Sequence, residues 1–313
     1  MERTVTTADG ITLRVAEEGS GPLVVLVHGF PELGYSWRHQ LPALAAAGYR
    51  AVAPDMRGYG GSSRPERVED YDILHLTGDV VGLLDALGEE RAVVVGHDWG
   101  ASVAWNLALL HPERVAAVCG MSVPFTPRAR RPPSSAWAER FADRFFYIRH
   151  FQRPGVVDAE LAADPARTMR GMLCGLRAGD GTELIGPDDG RGVVDRLPQP
   201  ETLPAWLSQA ELDHYVAEFA RTGFTGGVNW YRNIDRNWEL TPQLAGARVR
   251  VPSLFVAGSA DPVLWMTPPD RQAAHLDDLR GQVIVDGAGH WVQQEHPDEV
   301  NAALLEFLRG VAH

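Results

Sequence analysis

Asp98 lies in the segment Gly96-His97-Asp98-Trp99-Gly100, after the apolar run Ala92-Val93-Val94-Val95 and before the helix-like Ala101-Ser102-Val103-Ala104-Trp105. Glycines flanking a reactive centre, past a strand and ahead of a helix, read as a nucleophile elbow: the chain bends sharply and the central side chain stands exposed at the helix N-terminus. Serine is the usual occupant, and aspartate changes the chemistry. A carboxyl group ionises near pH ~3.9, so at neutral pH it is a nucleophile that needs no base to activate it. Its attack on a saturated carbon leaves an ester, which water can cleave; attack by serine would leave an ether, which water does not readily cleave. The position therefore predicts hydrolysis at a saturated carbon, such as that of an epoxide or an alkyl halide. No G-x-S-x-G occurs elsewhere in the chain to supply a competing serine.

Two further residues complete a constellation. Asp261 follows the apolar Ser253–Val256 in Gly258-Ser259-Ala260-Asp261-Pro262, and His290 follows in Gly287-Ala288-Gly289-His290-Trp291. Both fall just past strand ends, where sites on parallel sheets gather, and the chain order is nucleophile, acid, histidine. Alone, such an aspartate reads as a turn cap and such a histidine as a satisfied loop residue; together and in order they read as a triad. The rival acid position, after the run Val115–Cys119, is empty because no carboxylate occurs between Glu113 and Glu139. His28-Gly29-Phe30-Pro31-Glu32 follows the apolar Leu23–Val27 and is placed to lend a backbone N–H to a developing oxyanion, with a second from the residue after the nucleophile. The amides assigned are those of Phe30 and Trp99. The isomer of the Phe30-Pro31 bond stays open.

The elements that must position these groups are short β-branched runs alternating with amphipathic helices, the pattern of a mostly parallel sheet covered on both faces. Strands are expected at Ile11–Val15, Leu23–Val27, Arg50–Ala53, Ala92–Val95, Val115–Cys119, Ser253–Val256 and Gln282–Val285. Ile73, Leu76, Val80, Leu83 and Leu87 recur at helical spacing and stop at Gly88. Trp37, Leu41 and Leu44 do the same before Gly48, and Val300, Leu304 and Leu308 after Pro297. From about Val123 to Pro242 the alternation gives way to helix-like segments separated by Pro- and Gly-rich stretches. The expected division is a core of residues 1–122 and 243–313 with a lid inserted at 123–242, in which Gly179–Pro204 is a long mobile loop.

Composition narrows the partners. The chain has 313 residues, with 41 acidic and 29 basic side chains and a net charge of −12, and it lacks a basic run suited to nucleic acid or an anionic membrane. Every basic residue is arginine, which removes Schiff-base, pyridoxal-phosphate and P-loop lysine chemistry. Cys119 and Cys174 are far apart in sequence, Met1-Glu2-Arg3-Thr4 carries no secretory apolar core, and no apolar run approaches membrane-spanning length. A reduced, cytoplasmic enzyme is expected. No metal or cofactor is implied, since no His/Cys cluster has ligand spacing.

Across nearly its whole length the chain resembles the epoxide hydrolases of the α/β-hydrolase fold. The resemblance rests on His28-Gly29-Phe30-Pro31-Glu32, Ser36-Trp37-Arg38, Pro54-Asp55-Met56-Arg57-Gly58-Tyr59-Gly60 and the Asp98 elbow, and on two lid segments: Tyr147-Ile148-Arg149-His150-Phe151-Gln152-Arg153-Pro154-Gly155, and Asn229-Trp230-Tyr231-Arg232-Asn233 with Arg236-Asn237-Trp238. It implies that Tyr147 and Tyr231 grip the epoxide oxygen; a phenol suits that task because it stays protonated at neutral pH and can donate to a developing alkoxide. Arg149-His150 depart from the family pattern, where aromatic or apolar residues are common. The implied reaction converts an epoxide and water to a vicinal diol through an ester on Asp98, which His290, oriented by Asp261, hydrolyses. Glu32, Asp55 and Trp37 are expected to brace loops, and His97 to be a structural hydrogen bonder.

Two alternatives stand beside this expectation. Haloalkane dehalogenases share an elbow Asp followed by Trp but need a second side-chain N–H for the halide; Phe30 supplies none, which leaves a lid tryptophan such as Trp137 or Trp206. A non-catalytic ligand-binding protein on a hydrolase scaffold is the other, since fold alone does not establish activity. Oligomeric state, monomer or homodimer, is not readable from the sequence.

Overall fold

A computed structural model of the chain describes residues 2–311. In chain order the strands are β1 (Glu2–Thr6), β2 (Thr12–Glu18), β3 (Leu23–Val27), β4 (Arg50–Pro54), β5 (Ala92–His97), β6 (Val115–Met121), β7 (Arg144–Phe146), β8 (Ile185–Pro187), β9 (Val249–Gly258) and β10 (Leu276–Val285). The helices are α1 (Gln40–Ala46), α2 (Ile73–Leu87), α3 (Trp99–Leu110), α4 (Pro133–Arg140), α5 (Tyr147–Phe151), α6 (Val156–Ala163), α7 (Pro165–Cys174), α8 (Gln209–Thr222), α9 (Thr225–Arg232), α10 (Ile234–Leu240), α11 (Pro262–Met266), α12 (Val292–Glu295) and α13 (Pro297–Arg309).

Among the described residues, eight strands form one sheet in the order β1-β2-β4-β3-β5-β6-β9-β10. It is parallel from β4 to β10 and antiparallel at β1–β2 and β2–β4. This is the α/β-hydrolase fold, a mostly parallel sheet flanked by helices. The central strands are continuous apolar runs because both their faces are covered. In β3, Val24 and Leu26 enter the core on one face while Leu23, Val25 and Val27 enter the core on the other. α2 begins where Asp72 accepts from the amides of Leu74 and His75, and ends at Gly88, whose φ of 75° closes the helix in the left-handed region.

The strand expectations hold with longer ends, and three strands escape them. β1 is polar and exposed at four of its five residues, so it offers no period of two. β7 and β8, which fall between β6 and β9 in sequence, are three-residue strands that pair antiparallel with each other in a separate small sheet. Gly179–Pro204, expected as a long mobile loop, thus contributes a strand. Its Arg196 is buried, donating to the carbonyl of Pro187 at 2.8 Å and stacking over Phe145 at 4.0 Å. α8 to α10 are fastened to the sheet's own helices and loops. Arg38 pairs with Glu211 at 2.6 Å and donates to Gln294 at 2.7 Å, Ser36 shares a hydrogen bond with Tyr215 at 2.8 Å, and Ile73 donates its amide to Asn237 at 2.7 Å. No helix among the described residues is long and apolar enough to cross a membrane.

Candidate active site

Asp98 stands between β5 and α3 with φ 52° and ψ −119°, a conformation that side-chain-bearing residues rarely adopt. The flanking glycines are required by close approach. A Cβ on Gly96 would lie 2.0 Å from the carbonyl oxygen of Gly100, and one on Gly100 would lie 2.0 Å from that of Val27. The turn can close this tightly only where both positions are bare, and closing it lifts the Asp98 carboxylate above the end of the sheet.

The groups around that carboxylate come from four separate places in the chain. The Phe30 amide, in the loop after β3, donates to Asp98 Oδ1 at 2.9 Å, and the Phe30–Pro31 bond is cis. Trp99 opens α3, so its amide is one of the donors that a helix's first turn leaves without an internal acceptor. His290, in the loop after β10, brings Nε2 to 3.6 Å from Asp98 Oδ2. Its Nδ1 faces both oxygens of Asp261, at 3.1 and 3.2 Å. Asp261, after β9, is itself held by the Val263 amide at 2.9 Å, which it accepts as the cap of α11. Burial disfavours the His290 imidazolium, but the carboxylates of Asp261 and Asp98 outweigh burial and raise its pKa well above the ordinary 6.5.

Tyr147 opens α5 and Tyr231 lies in α9, and their rings meet edge to face with centroids 6.0 Å apart over the same cavity as Asp98. Tyr231 also packs edge-on against Trp99 at 5.0 Å and Phe30 at 5.5 Å. Burial, reinforced by the Asp98 charge, pushes the pKa of both phenols up, so they remain protonated donors. The structure therefore brings Asp98, His290, Asp261, Phe30, Trp99, Tyr147 and Tyr231 together. Trp137 lines the cavity as well, whereas Trp206 is not among its walls.

A polar support beneath His290 has weaker sequence signals. Ser122 at the end of β6 donates to the His290 carbonyl at 2.8 Å from a backbone with φ 64°. His97 Nε2 lies 2.8 Å from the same carbonyl and its Nδ1 lies 2.7 Å from Glu32. His97 thus bridges the His290 backbone and the Glu32 carboxylate through its two ring nitrogens. Glu32 is fully buried, yet the His97 charge and its hydrogen bonds overcome burial and hold its carboxyl down to about 2. Glu32 also accepts from the Gly29 amide at 2.9 Å and from Gln293 at 2.8 Å. Ser122 was not foreseeable, since its role depends on the pairing of β6 with β9, which it extends by donating its amide to Val256 at 2.9 Å. Among the described residues no three His, Cys, Asp or Glu side chains gather in a metal-holding arrangement.

Residues 22–297 match the alpha/beta hydrolase fold family. The chain is 62% identical to epoxide hydrolase A of Mycobacterium tuberculosis over 99% of its own length and 98% of that protein's. The crystal structure of epoxide hydrolase A from Mycobacterium thermoresistibile superposes with a TM-score of 0.96 at 59% identity, covering 100% of this chain and 99% of that one. An epoxide hydrolase from an endophytic Streptomyces gives 0.95 at 46% identity, covering 99% of this chain and 95% of that one. With an aspartate on the elbow, a His–Asp pair behind it and two phenols facing it, the chain belongs to the epoxide hydrolases of the α/β-hydrolase fold.

Proposed function

We propose that Asp98 is the nucleophile, Tyr147 and Tyr231 the acids, and the His290–Asp261 pair the base of a two-step conversion of an epoxide to a vicinal diol. The carrying observation is the division of labour at the Asp98 carboxylate. Oδ1 is bound by the Phe30 amide, as the carbonyl oxygen of an ester would be, while Oδ2 lies 3.6 Å from His290 Nε2, and Asp98 lines the same cavity as the two tyrosines.

In the first step Oδ2 bonds to a ring carbon from the face opposite the oxygen. The carbon–oxygen bond breaks with its electron pair on oxygen, and that oxygen takes a proton from one of the two phenols. Esterification cancels the Asp98 charge, one of the causes that keeps His290 protonated. The imidazolium then returns a proton to the phenoxide and becomes a neutral base. In the second step it takes a proton from water, whose oxygen attacks the ester carbonyl carbon. The tetrahedral oxyanion rests on the Phe30 and Trp99 amides and collapses, the departing oxygen taking a proton from the His290 imidazolium so that the diol leaves, and the new carboxylic acid on Asp98 passes its proton to His290. Asp98 is again ionised and His290 again protonated, so the cycle closes with one epoxide and one water consumed. Asp261 holds Nδ1 and stabilises the imidazolium, a division of roles familiar from Ser-His-Asp enzymes.

We also propose that residues 123–242 work as a lid over a core of 1–122 and 243–313. The supporting fact is that this segment supplies both tyrosines while the acid, base and nucleophile stand on the large sheet's strand ends. A reducing, cytoplasmic setting is supported by two free thiols, Cys119 and Cys174.

The test is a single turnover in heavy-oxygen water with enzyme in excess. The diol of the first turnover should be unlabelled, its new oxygen being Oδ2 of Asp98, and the label should enter the Asp98 carboxylate. His290→Gln should consume about one epoxide per enzyme and accumulate the ester, seen by mass on the peptide that contains Asp98. A fully labelled first-turnover diol overturns the ester route.

A further inference from the structure

The reacting groups stand between two cavities of unequal size. One, of about 260 Å³, is walled by Trp99, Val123, Trp137, Phe141, Phe146 and Met266. Past Trp99, Ser102, Val123 and Trp137, which line both spaces, it adjoins a chamber of about 370 Å³ that reaches Asn237 and Trp238. On the His290 side the free volume is only about 30 Å³, enclosed by Phe30, Phe151, Met172, Leu176, Leu184 and Pro262. Asp98, Tyr147, Tyr231 and Val263 line both the large and the small space, so they form the neck between them.

An epoxide with its oxygen on the two phenols and Asp98 on the opposite face directs the substituents of its two ring carbons to either side of that neck. The small side must also admit the water that His290 activates. A water needs roughly 10–15 Å³ of such volume, which leaves little of it for carbon. Nor can the wall readily retreat. The carbonyl of Leu176 accepts the His290 amide at 3.1 Å, and the carbonyl of Met172 accepts the indole N–H of Trp291 at 3.1 Å. The backbone that closes the small cavity is thus the backbone that holds the base, and pushing one back would displace the other.

We infer that the substrates are terminal epoxides: one ring carbon is an unsubstituted CH₂ facing the small cavity, and the other bears a large apolar arm lying among the aromatic walls of the open one. Met172 and Leu184 are specificity-determining residues, because their side chains fill the space a second substituent would need. This assignment rests on Asp98, Tyr147 and Tyr231 acting as proposed above.

The experiment compares kcat/KM for styrene oxide, trans-β-methylstyrene oxide and trans-stilbene oxide in the wild type, Met172→Ala, Leu184→Ala and the double variant. One misplaced methylene changes such a ratio by roughly 10- to 200-fold, so wild type should favour styrene oxide over trans-stilbene oxide by at least about 100-fold, with the methyl compound between. The variants should narrow that gap by about 10-fold or more, the double variant most. Wild type treating the terminal and the trans-disubstituted compounds within about threefold of each other would overturn the inference, and so would a double variant that turns over styrene oxide with an unchanged ratio. The wild-type comparison needs no substitution, so it decides the matter even if a variant fails to fold. An enzyme that opens none of the three also overturns the inference, because styrene oxide meets its description, while the nucleophile assignment beneath it is decided separately by the labelled single turnover.

Discussion

At the scale of single residues, the two half-reactions make opposite demands, and substitutions should separate them. On the proposed mechanism Tyr147 and Tyr231 serve the opening step, where an oxygen gains charge. Tyr147→Phe and Tyr231→Phe should each slow ester formation by roughly 10- to 1000-fold in rapid-quench measurements, with the double variant nearly inactive. Release of halide from haloalkanes needs no proton, so if that reaction outpaced every epoxide the phenols would have been misread. On the same mechanism His290 serves the second step and must be neutral to do so. Ester hydrolysis should therefore rise with pH to a plateau as His290 loses its proton. The Asp261 carboxylate raises that pKa, so Asp261→Asn should move the ascending limb to lower pH while lowering the plateau. Single-turnover decay of the ester across a pH series reads both effects. A limb that stays in place would mean that another carboxylate sets the proton affinity of His290.

At the scale of elements, legibility followed burial. The strands β3, β5 and β6 are buried along their whole length and read directly as apolar runs, and each of the groups that work on Asp98 from the core lies within a few residues of a strand end. The polar edge strand β1 and the three-residue pair β7–β8 were illegible because nothing in their composition repeats; they are fixed by what they lie against. Asp98, Asp261 and His290 were legible for another reason: each belongs to a turn whose glycines and flanking strand constrain it locally, as Gly96 and Gly100 do for Asp98, whereas Tyr147 and Tyr231, in α5 and α9, were legible only through the family resemblance. Ser122 and the closed side of the cavity were not legible. Met172, Leu176 and Leu184 are ordinary apolar residues whose importance depends on where α7 ends relative to the His290 loop, a distance across the fold that no local pattern encodes.

At the scale of the molecule, α8 meets the rest of the protein through polar contacts set among apolar ones. Arg38 is the hinge pin of this contact, since it engages Glu211 from α8 and Gln294 from α12 at once. Its side chain is largely shielded, so Arg38→Ala should cost about 1–3 kcal/mol, the range for losing hydrogen bonds to a charged group. Amide hydrogen exchange should rise across α8, from Gln209 to Thr222, while the amides of β3 and β5 stay protected. Uniform loss of protection would mean that the sheet and the helices above it unfold as one unit. The net charge of −12 predicts in addition that no part of this behaviour depends on polyanions.

The backbone of Asp98 carries one more consequence. At φ 52° and ψ −119° an aspartate is held in a shape that only glycine adopts without penalty, and the fold tolerates the tension because the surrounding turn leaves it no alternative. Asp98→Gly should consequently melt above Asp98→Ala, by the temperature equivalent of about 1 kcal/mol, although on the proposed mechanism neither can form the ester. Calorimetry on the two dead proteins would check it, and equal melting points would mean that the bend is relaxed. On the proposed mechanism durability and reactivity pull in opposite directions at this one position: the bend suits glycine best, and glycine has no carboxylate to react.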